Sequence, residues 1–242
     1  MHATIQKPVS EIISHLREGE KLFVVGCDNC AAKCRSGGVP ETKAMAEKLR
    51  AEGVDVVDWA VPGPSGVSLC KLSNTEKFLR EKHGKSLDEA DSFLVLSCGQ
   101  GVHTVLSATG GKVVHPGCDT VFGGETTDDN LIKEYCSLCG ECVIEYTGGL
   151  CPLTLCAKGL LNGPCGGAKD GKCEISSEQD CGWQLIYERL KAIGRLDLMY
   201  GYREPKNNLK WGRPRTLALN GHRASLRAAG ELTTNLNTGQ GV

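Results

Sequence analysis

The stretch KLFVVG, residues 21–26, and the loop CDNCAAKCRSGG that follows it, residues 27–38, decide how the N-terminal half of this chain folds. The apolar run LFVV within the first stretch is typical of a strand that is buried on both faces of a parallel sheet. The loop stands where a nucleotide-binding sheet carries its glycine-rich phosphate loop, but cysteines replace the phosphate contacts. The stretch therefore predicts a parallel sheet whose first loop carries ligands for a metal.

Helices and strands alternate through the rest of this half. We predict helices at residues 8–18, 40–53, 73–84 and 102–109, and strands at residues 21–26, 54–60, 92–97 and 112–116. Strands that alternate with helices build a parallel sheet covered on both faces. The fold class predicted for the first domain, residues 1–124, is therefore α/β, with a small doubly wound parallel sheet.

Each cysteine of this half follows a predicted strand. They are Cys27, Cys30 and Cys34 after the first strand, Cys70 after the second, Cys98 after the third and Cys118 after the fourth. The carboxyl ends of parallel strands lie along one edge of the sheet, and the crevice at that edge is where ligands bind. We therefore expect a metal site built from Cys27, Cys30, Cys34 and Cys98, with Cys70 as the substitute for one of them.

Two features of this edge have more than one interpretation. Cys118 is left without a ligand role, because an isolated free cysteine also packs as a small apolar side chain. Gly37, Gly38 and the GQG at residues 99–101 can present backbone N–H groups to cluster sulfurs, or they can simply form turns.

A second group of cysteines is dense enough to indicate metal on its own. It consists of Cys136, Cys139, Cys142, Cys151, Cys156, Cys165, Cys173 and Cys181. Glycine and proline interrupt residues 147–173 so often that long regular elements are excluded, and the block depends on metal for its shape. The segment from 125 to 202 is therefore predicted to be a cysteine-rich, metal-organised domain.

Cysteine spacing favours iron–sulfur over zinc in this block. Zinc ribbons carry two Cys-x-x-Cys pairs separated by about 15 to 20 residues, whereas CSLCGEC at residues 136–142 and the later Cys151–Pro152 resemble a ferredoxin cluster loop. We expect about two or three [4Fe–4S] clusters, and a zinc ion in place of one cluster is the alternative.

The ligand sets within the block follow from the same spacing. Cys136, Cys139 and Cys142 are expected to share one centre, with Cys151 or Cys181 as the fourth ligand. The remaining cysteines, centred on Cys156, Cys165 and Cys173, would close a second centre. In two-cluster ferredoxins the Cys-Pro cysteine ligates the other cluster, so Cys151 can also belong to that second centre.

The C-terminal part of the chain divides into a helix and a tail. Residues 183–200 predict an amphipathic helix that is interrupted near Gly194 and packs on the metal block. Residues 203–242 show no apolar periodicity and are predicted to form an extended arm or tail, with Trp211 placed on a partner protein.

Charge and hydropathy exclude two classes of partner. Lys and Arg number 28 against 29 Asp and Glu, a net charge of −1 without the basic excess that nucleic acids attract. No signal-peptide core and no membrane-spanning stretch of about 18 apolar residues is found. We expect a cytoplasmic protein, in which 14 cysteines indicate metal rather than disulfides.

Several segments of the chain together resemble a known family. VVGCDNCAAKCRSGG, LSCGQGV, EYCSLCGECV, TGGLCPLTLCAKGLLNGPCGG, GKCEI and DCGWQLIYERLKAIGRLDLM are similar to the MetV family, the small iron–sulfur subunits of MetVF-type methylenetetrahydrofolate reductases. The resemblance covers about residues 21–200 and is most specific from 135 to 200. The cysteine-rich half is also similar to the methylenetetrahydrofolate reductase C-terminal domain.

This resemblance implies a function in electron transfer. The chain would relay electrons between an external donor and the flavin of a MetF-like catalytic subunit in the reductive acetyl-CoA pathway. Ferredoxin or another iron–sulfur subunit would be the donor. Nothing in the chain resembles the folate-binding barrel of that flavin-containing partner, so the resemblance implies a non-catalytic subunit of an oxidoreductase complex.

Two other functions fit parts of the pattern. In the first, the metals, zinc included, are not redox-active and stabilise a surface that docks the flavin subunit. The second is a zinc-thiolate methyltransferase module, and that function needs a substrate cavity for which the sequence gives no signal.

Overall fold

The computed structural model describes residues 1–63, 68–213, 215–220 and 223–228 of the chain. It contains two compact units, Met1–Lys133 and Glu134–Val242. No helix in the described part of the chain is long and apolar enough to cross a membrane.

The first unit is an α/β fold. Its elements are β1 (His2–Gln6), α1 (Val9–Ser14), β2 (Leu22–Gly26), α2 (Cys30–Lys33), α3 (Val39–Ala51), β3 (Val56–Ala60), α4 (Leu72–Glu89), β4 (Ser92–Leu96), α5 (Gly99–Ala108), β5 (Val113–Pro116), β6 (Cys118–Gly123), β7 (Glu125–Thr126) and β8 (Ile132–Lys133). The predicted strands correspond to β2, β3, β4 and β5, with each end within two residues of its predicted position.

The central sheet has four strands in the order β3-β2-β4-β5, and every pairing is parallel. Its two faces are covered by different helices. Leu22 and Val24 pack in a core with residues of α1 and α3, whereas Phe23 and Val25 pack in another core with residues of α4 and α5. The predicted α/β parallel sheet with helices on both faces is confirmed.

The topological switch point of the sheet, where successive connections change from one side to the other, lies between β2 and β4. From β2 the chain runs outward to β3 on one side and then returns to β4 on the other side of β2. In open α/β sheets the ligand crevice lies at this point, beyond the carboxyl ends of the two strands. The pairing of Gly26 with Leu96 brings those ends level, just before Cys27 and Cys98.

The sequence did not predict the antiparallel ribbon of β1 and β6, which pairs His2 with Gly123 and Gln6 with Cys118. Its alternation of buried and exposed side chains is broken by a register shift between Ala3 and Thr4, both of which are buried. A bulge of this kind removes the period of two by which a half-buried strand is recognised.

Helix α4 also differs from its prediction. The predicted helix ended at Gly84, but the structure continues to Glu89 after a kink at His83, whose φ is −131°. The His83 ring lies between the rings of Phe23 and Phe78 and contacts the Asp58 carboxylate at 3.1 Å. The glycine therefore follows a bend in the helix rather than its end.

The second unit contains short elements. They are α6 (Pro152–Leu155), β9 (Lys172–Cys173), β10 (Ser176–Asp180), α7 (Gly182–Ala192), β11 (Arg215–Asn220) and β12 (Arg223–Ala228), with 3-10 turns at Ile144–Thr147, Leu196–Tyr200 and Asn208–Trp211. The predicted C-terminal helix is α7, and its interruption at Gly194, where φ is +69°, is confirmed.

The apolar core of this unit is small. Trp183, Ile186 and Leu190 of α7 are its buried members, and the Trp183 indole N–H donates to the Leu160 carbonyl at 3.0 Å. The predicted tail is not uniformly extended, because residues 208–211 form a turn and β11 pairs with β12. Residues 214, 221–222 and 229–242 of that tail lie outside the described residues.

We expect Gly37→Ala to destabilise the first unit by about 1–3 kcal/mol, the usual cost of overpacking. A Cβ at this position would lie 1.9 Å from the Leu96 carbonyl oxygen, at the end of β4. Gly84→Ala is the matched control, because nothing lies within 4 Å of its added Cβ and alanine is favoured over glycine in a helix by about 0.5–1 kcal/mol. Urea unfolding followed by circular dichroism measures both variants, and equal losses would contradict the close approach at Gly37.

Candidate metal centres

The loop after β2 folds back over the end of the sheet. The Cys27 backbone N–H donates to the Gly37 carbonyl at 2.8 Å, which closes the loop on itself. Within it the short helix α2 begins at Cys30 and ends just before Cys34. One loop therefore presents three cysteines beside the end of β4.

Cys27 and Cys98 lie next to each other at the switch point. Cys98 lies two residues after the end of β4 and directly before α5, and both thiols are buried. Burial raises the pKa of Cys27, and the neighbouring Cys98 and Cys30 add to that rise, while the backbone N–H groups of Leu69 and Asn29 oppose it. The influence of Cys30 on Cys27 places Cys30 in the same group of thiols.

The Cys70 loop reaches this group through its backbone. Leu69 donates its N–H to Cys27, whereas Cys70 itself is exposed and its thiol donates to the Ser68 hydroxyl at 3.1 Å. The structure thus brings Cys27, Cys30 and Cys98 together and leaves the Cys70 side chain turned to other contacts.

Cys34 and Cys118 form the other side of the edge. The Thr4 N–H donates to Cys34 at 3.4 Å, and the Cys118 thiol donates to the Ser36 carbonyl at 3.4 Å. Burial raises the pKa of Cys118 to about 12, with smaller contributions from Cys34 and Cys98. Cys118 belongs to the apolar core under α3, as a small buried apolar side chain would.

The glycine amides at this edge already have partners. Gly37 donates to the Ala31 carbonyl at 3.3 Å, Gly101 to the Cys98 carbonyl at 2.9 Å, and Gly99 to the Thr120 hydroxyl at 2.9 Å. Of the two interpretations, the structural role in turns therefore accounts for these three glycines.

A cavity of about 430 Å³ lies beside the CSLCGEC motif in the second unit. Its walls include Cys136, Cys139, Cys142 and Cys151, so the four cysteines are those of the first predicted ligand set. The volume falls within the ~300–1,000 Å³ of small-molecule and cofactor sites. Cys181, the alternative fourth ligand, begins α7 and packs on the Trp183 core instead.

The backbone reverses direction between the cysteines, and their sulfur atoms therefore line this cavity. Leu138 and Gly140 both have left-handed φ values, 56° and 78°, which reverse the chain between successive cysteines. The Leu138 N–H donates to the Cys136 sulfur at 3.4 Å, and Pro152 starts α6 directly after Cys151. A left-handed leucine costs about 1–3 kcal/mol, and such strain is concentrated at functional sites.

A lysine from the C-terminal segment enters the same cavity. Lys206 Nζ lies 2.7 Å from the Cys139 sulfur and also donates to the Glu141 carbonyl. Burial raises the pKa of Cys139, but the Lys206 ammonium, the Glu141 backbone and the Ser137 hydroxyl together outweigh burial and leave the pKa below that of an ordinary thiol. The thiolate favoured in this way is the form that binds metal.

The residues present fit a thiolate-bound cluster. Four sulfur atoms share one cavity, and a cation lies against one of them. The Ser137 hydroxyl is buried in the cavity wall, next to the Cys139 sulfur, whose pKa it helps to lower. Leu138, Ile144 and Leu153 supply apolar wall between these groups.

The remaining cysteines are dispersed around the α7 core. Cys156 and Cys181 pack against the Trp183 cluster, Cys173 lies in β9, and Cys165 is exposed and accepts the Gly167 N–H at 3.4 Å. Among the residues that the structure describes, no three or more His, Cys, Asp or Glu side chains are already arranged to hold a metal ion. Ligation in both units, including the second centre at Cys156, Cys165 and Cys173, stays a prediction.

Sequence reasoning missed the residues that flank the cavity from the tail. Lys206 and Lys210 lie in EPKNNLKW, residues 204–211, which has no metal-ligand pattern. Their partners lie 67 and 69 residues earlier in the chain. The spacing of two lysines by four residues is too common a signal to have identified this role.

Replacing Cys30 by Ala should remove about one cluster's worth of iron from the anaerobically purified chain, because its thiol belongs to the group at the switch point. Iron and sulfide analysis measures the loss. Cys118→Ala is the control, since Cys118 is buried in apolar surroundings and should retain the parental iron content; an iron loss equal to that of Cys30→Ala would make Cys118 a ligand.

Cys139→Ala should remove a separate cluster's worth of iron, because its sulfur lines the cavity of the second unit. The losses of Cys30→Ala and Cys139→Ala should add in the double variant, since each belongs to a different unit. Full iron content in Cys139→Ala, measured in the same way, would refute the ligand role.

Comparison with known proteins supports the resemblance of the cysteine-rich half to the methylenetetrahydrofolate reductase C-terminal domain. Residues 115–209 match the sequence profile of a protein family described as Methylene-tetrahydrofolate reductase C terminal. Comparison with curated proteins and with solved structures gave no match. The matched segment contains the four-cysteine cavity and Lys206, and that segment is similar to the methylenetetrahydrofolate reductase C-terminal domain.

Proposed function

We propose that the chain is the electron-transfer iron–sulfur subunit of a methylenetetrahydrofolate reductase complex, of the MetV type. It would relay electrons between an external donor and the flavin of a MetF-like catalytic subunit in the reductive acetyl-CoA pathway. The observation that carries the proposal is a cavity lined by four cysteines inside the segment that matches the methylenetetrahydrofolate reductase C terminal family.

Cys136, Cys139, Cys142 and Cys151 are the residues that would hold a [4Fe–4S] cluster in this cavity. The chemistry that such a cluster supplies when bound is reversible transfer of single electrons. The chain's own residues would orient it and set its surroundings: the left-handed turn at Leu138 directs the sulfurs, and Lys206 provides positive charge.

The mouth of the cavity suits the approach of a redox partner. Cys136 and Cys142 are exposed, and Tyr135 and Leu138 beside them are 45% and 54% exposed. Aromatic residues are enriched at protein interfaces, whose buried centre is more apolar than the surrounding surface. We therefore assign the flavin subunit to this face, and an external donor such as ferredoxin to the cysteines at the edge of the first unit's sheet.

The chemistry of the substrate indicates which subunit would catalyse the reaction and which would supply electrons. Reduction of methylenetetrahydrofolate requires two electrons and a proton, and a flavin can exchange one or two electrons. The four-stranded sheet of the first unit is unlike the folate-binding barrel expected of the catalytic subunit. Catalysis is therefore assigned to the partner and electron supply to this chain.

The docking adaptor is the second candidate, and one observation favours it. The apolar core of the second unit rests on three buried side chains, Trp183, Ile186 and Leu190. A core of this size stabilises few loops, so metal in the cysteine block would have a structural role even without electron transfer.

Flavin reduction in the complex separates the two candidates. The chain is co-expressed with its flavin subunit, and reduced ferredoxin is the donor in stopped-flow absorbance measurements. We expect Cys139→Ala and Cys30→Ala each to slow flavin reduction by at least about tenfold, because each removes a centre on the electron path, while size-exclusion chromatography still shows the complex.

Cys118→Ala serves as the control and should reduce the flavin at close to the parental rate. If both cluster variants also reduce the flavin at the parental rate, the metals are structural and the adaptor function holds instead.

A further inference from the structure

The segment 206–211, here called the strap, lies across the cysteine loop that forms the cavity wall. Lys206 reaches Cys139 and the Glu141 carbonyl. The Asn207 N–H and Lys210 Nζ both bind the Glu141 carboxylate, at 2.8 and 2.7 Å. The strap therefore contacts the loop at Cys139 and at Glu141, and Lys206 is the strap residue that contacts a sulfur atom.

Close packing of backbone against backbone fixes the strap in place. A Cβ added at Gly140 would lie 2.6 Å from the Lys210 carbonyl oxygen, so the two segments touch with no side chain between them. The Asn207 side chain also accepts the Leu209 N–H at 3.0 Å and starts the turn Asn208–Trp211. Lys206 is thus held on the loop by its neighbours and not only by its own side chain.

The two lysines of the strap have different electrostatic partners. Lys210 forms an ion pair with Glu141, and its charge is compensated there. The polar contacts of Lys206 are a thiol sulfur and a carbonyl oxygen, neither of them a carboxylate. The positive charge next to Cys139 is therefore the less neutralised of the two.

We propose that Lys206 is a positioning residue that raises the reduction potential of the centre held by Cys136, Cys139, Cys142 and Cys151. The proposal rests on the function proposed above, because it requires a redox-active cluster in this cavity. Reduction adds one negative charge to the centre, so a fixed cation and an N–H···S bond stabilise the reduced form more than the oxidised form. Net charge and hydrogen bonds to the sulfurs are known determinants of cluster potential.

The test measures midpoint potential and iron content in the anaerobically purified full-length chain. Lys206→Met removes the charge and keeps a side chain of similar length. Lys206→Arg keeps the charge, and Lys210→Met removes the other lysine of the strap, which does not contact a cysteine. To isolate the signal of this centre, all variants are made in a background that carries both Cys30→Ala and Cys165→Ala, which removes the other two predicted centres. The reduced cluster is followed by electron paramagnetic resonance.

We expect Lys206→Met to retain its iron and to lower the ratio of reduced to oxidised cluster about tenfold at a fixed potential, a shift of about 59 mV for one electron. Lys206→Arg and Lys210→Met should stay near the parental potential. An unchanged potential in Lys206→Met would overturn the inference, and so would an equal shift in Lys210→Met, which would assign the effect to the strap as a whole.

The remaining outcomes separate this inference from the proposed function. A parental chain without redox-active iron overturns both. A redox-active parental chain whose Lys206→Met variant loses its iron overturns the inference alone, because Lys206 would then serve loading of the centre rather than its potential.

Discussion

The pairing of Gly26 with Leu96 is the interaction on which the arrangement of the first unit depends. Parallel strands in register end at the same height, so the residue after one strand is presented beside the residue after its neighbour. Since β2 and β4 are also the strands between which the connections change side, Cys27 and Cys98 meet where a doubly wound sheet leaves a crevice. The positions of the cysteines are thus a consequence of backbone hydrogen bonding.

The second unit also brings several cysteines together, but strand register does not position them. It has short strands and a core of three buried side chains, so regular structure contributes little to the position of its cysteines. Left-handed residues reverse the chain within the CSLCGEC motif, and Lys206 and Asn207 hold that motif from outside through Cys139 and Glu141. Local backbone conformation and charged contacts therefore position these cysteines, whereas strand register positions those of the first unit.

This contrast accounts for how much the sequence could predict. The strands of the central sheet were found because β2 and β4 are continuous apolar runs and β3 and β5 each contain a Val-Val pair. The cysteine edge followed from topology alone. The ribbon of β1 and β6 was missed because a bulge at Ala3 and Thr4 breaks its alternation. Spacing named the four cysteines of the cavity, but it left Cys181 as an equal choice for Cys151, because spacing alone cannot tell which loop closes on the motif. The contact between Lys206 and Cys139 has no local signal and required the fold.

The separation of the strap from the loop that it grips has a consequence for biosynthesis. Lys206 follows Cys139 by 67 residues, which at about 5–20 residues per second takes a ribosome roughly 3 to 13 seconds. During that interval the nascent cysteine loop has left the ribosome ahead of its strap, and its sulfurs are open to solvent. Closure of the cavity by residues 206–211 is therefore a late event in the synthesis of the chain, and the cluster proposed for this cavity would have open access before that closure.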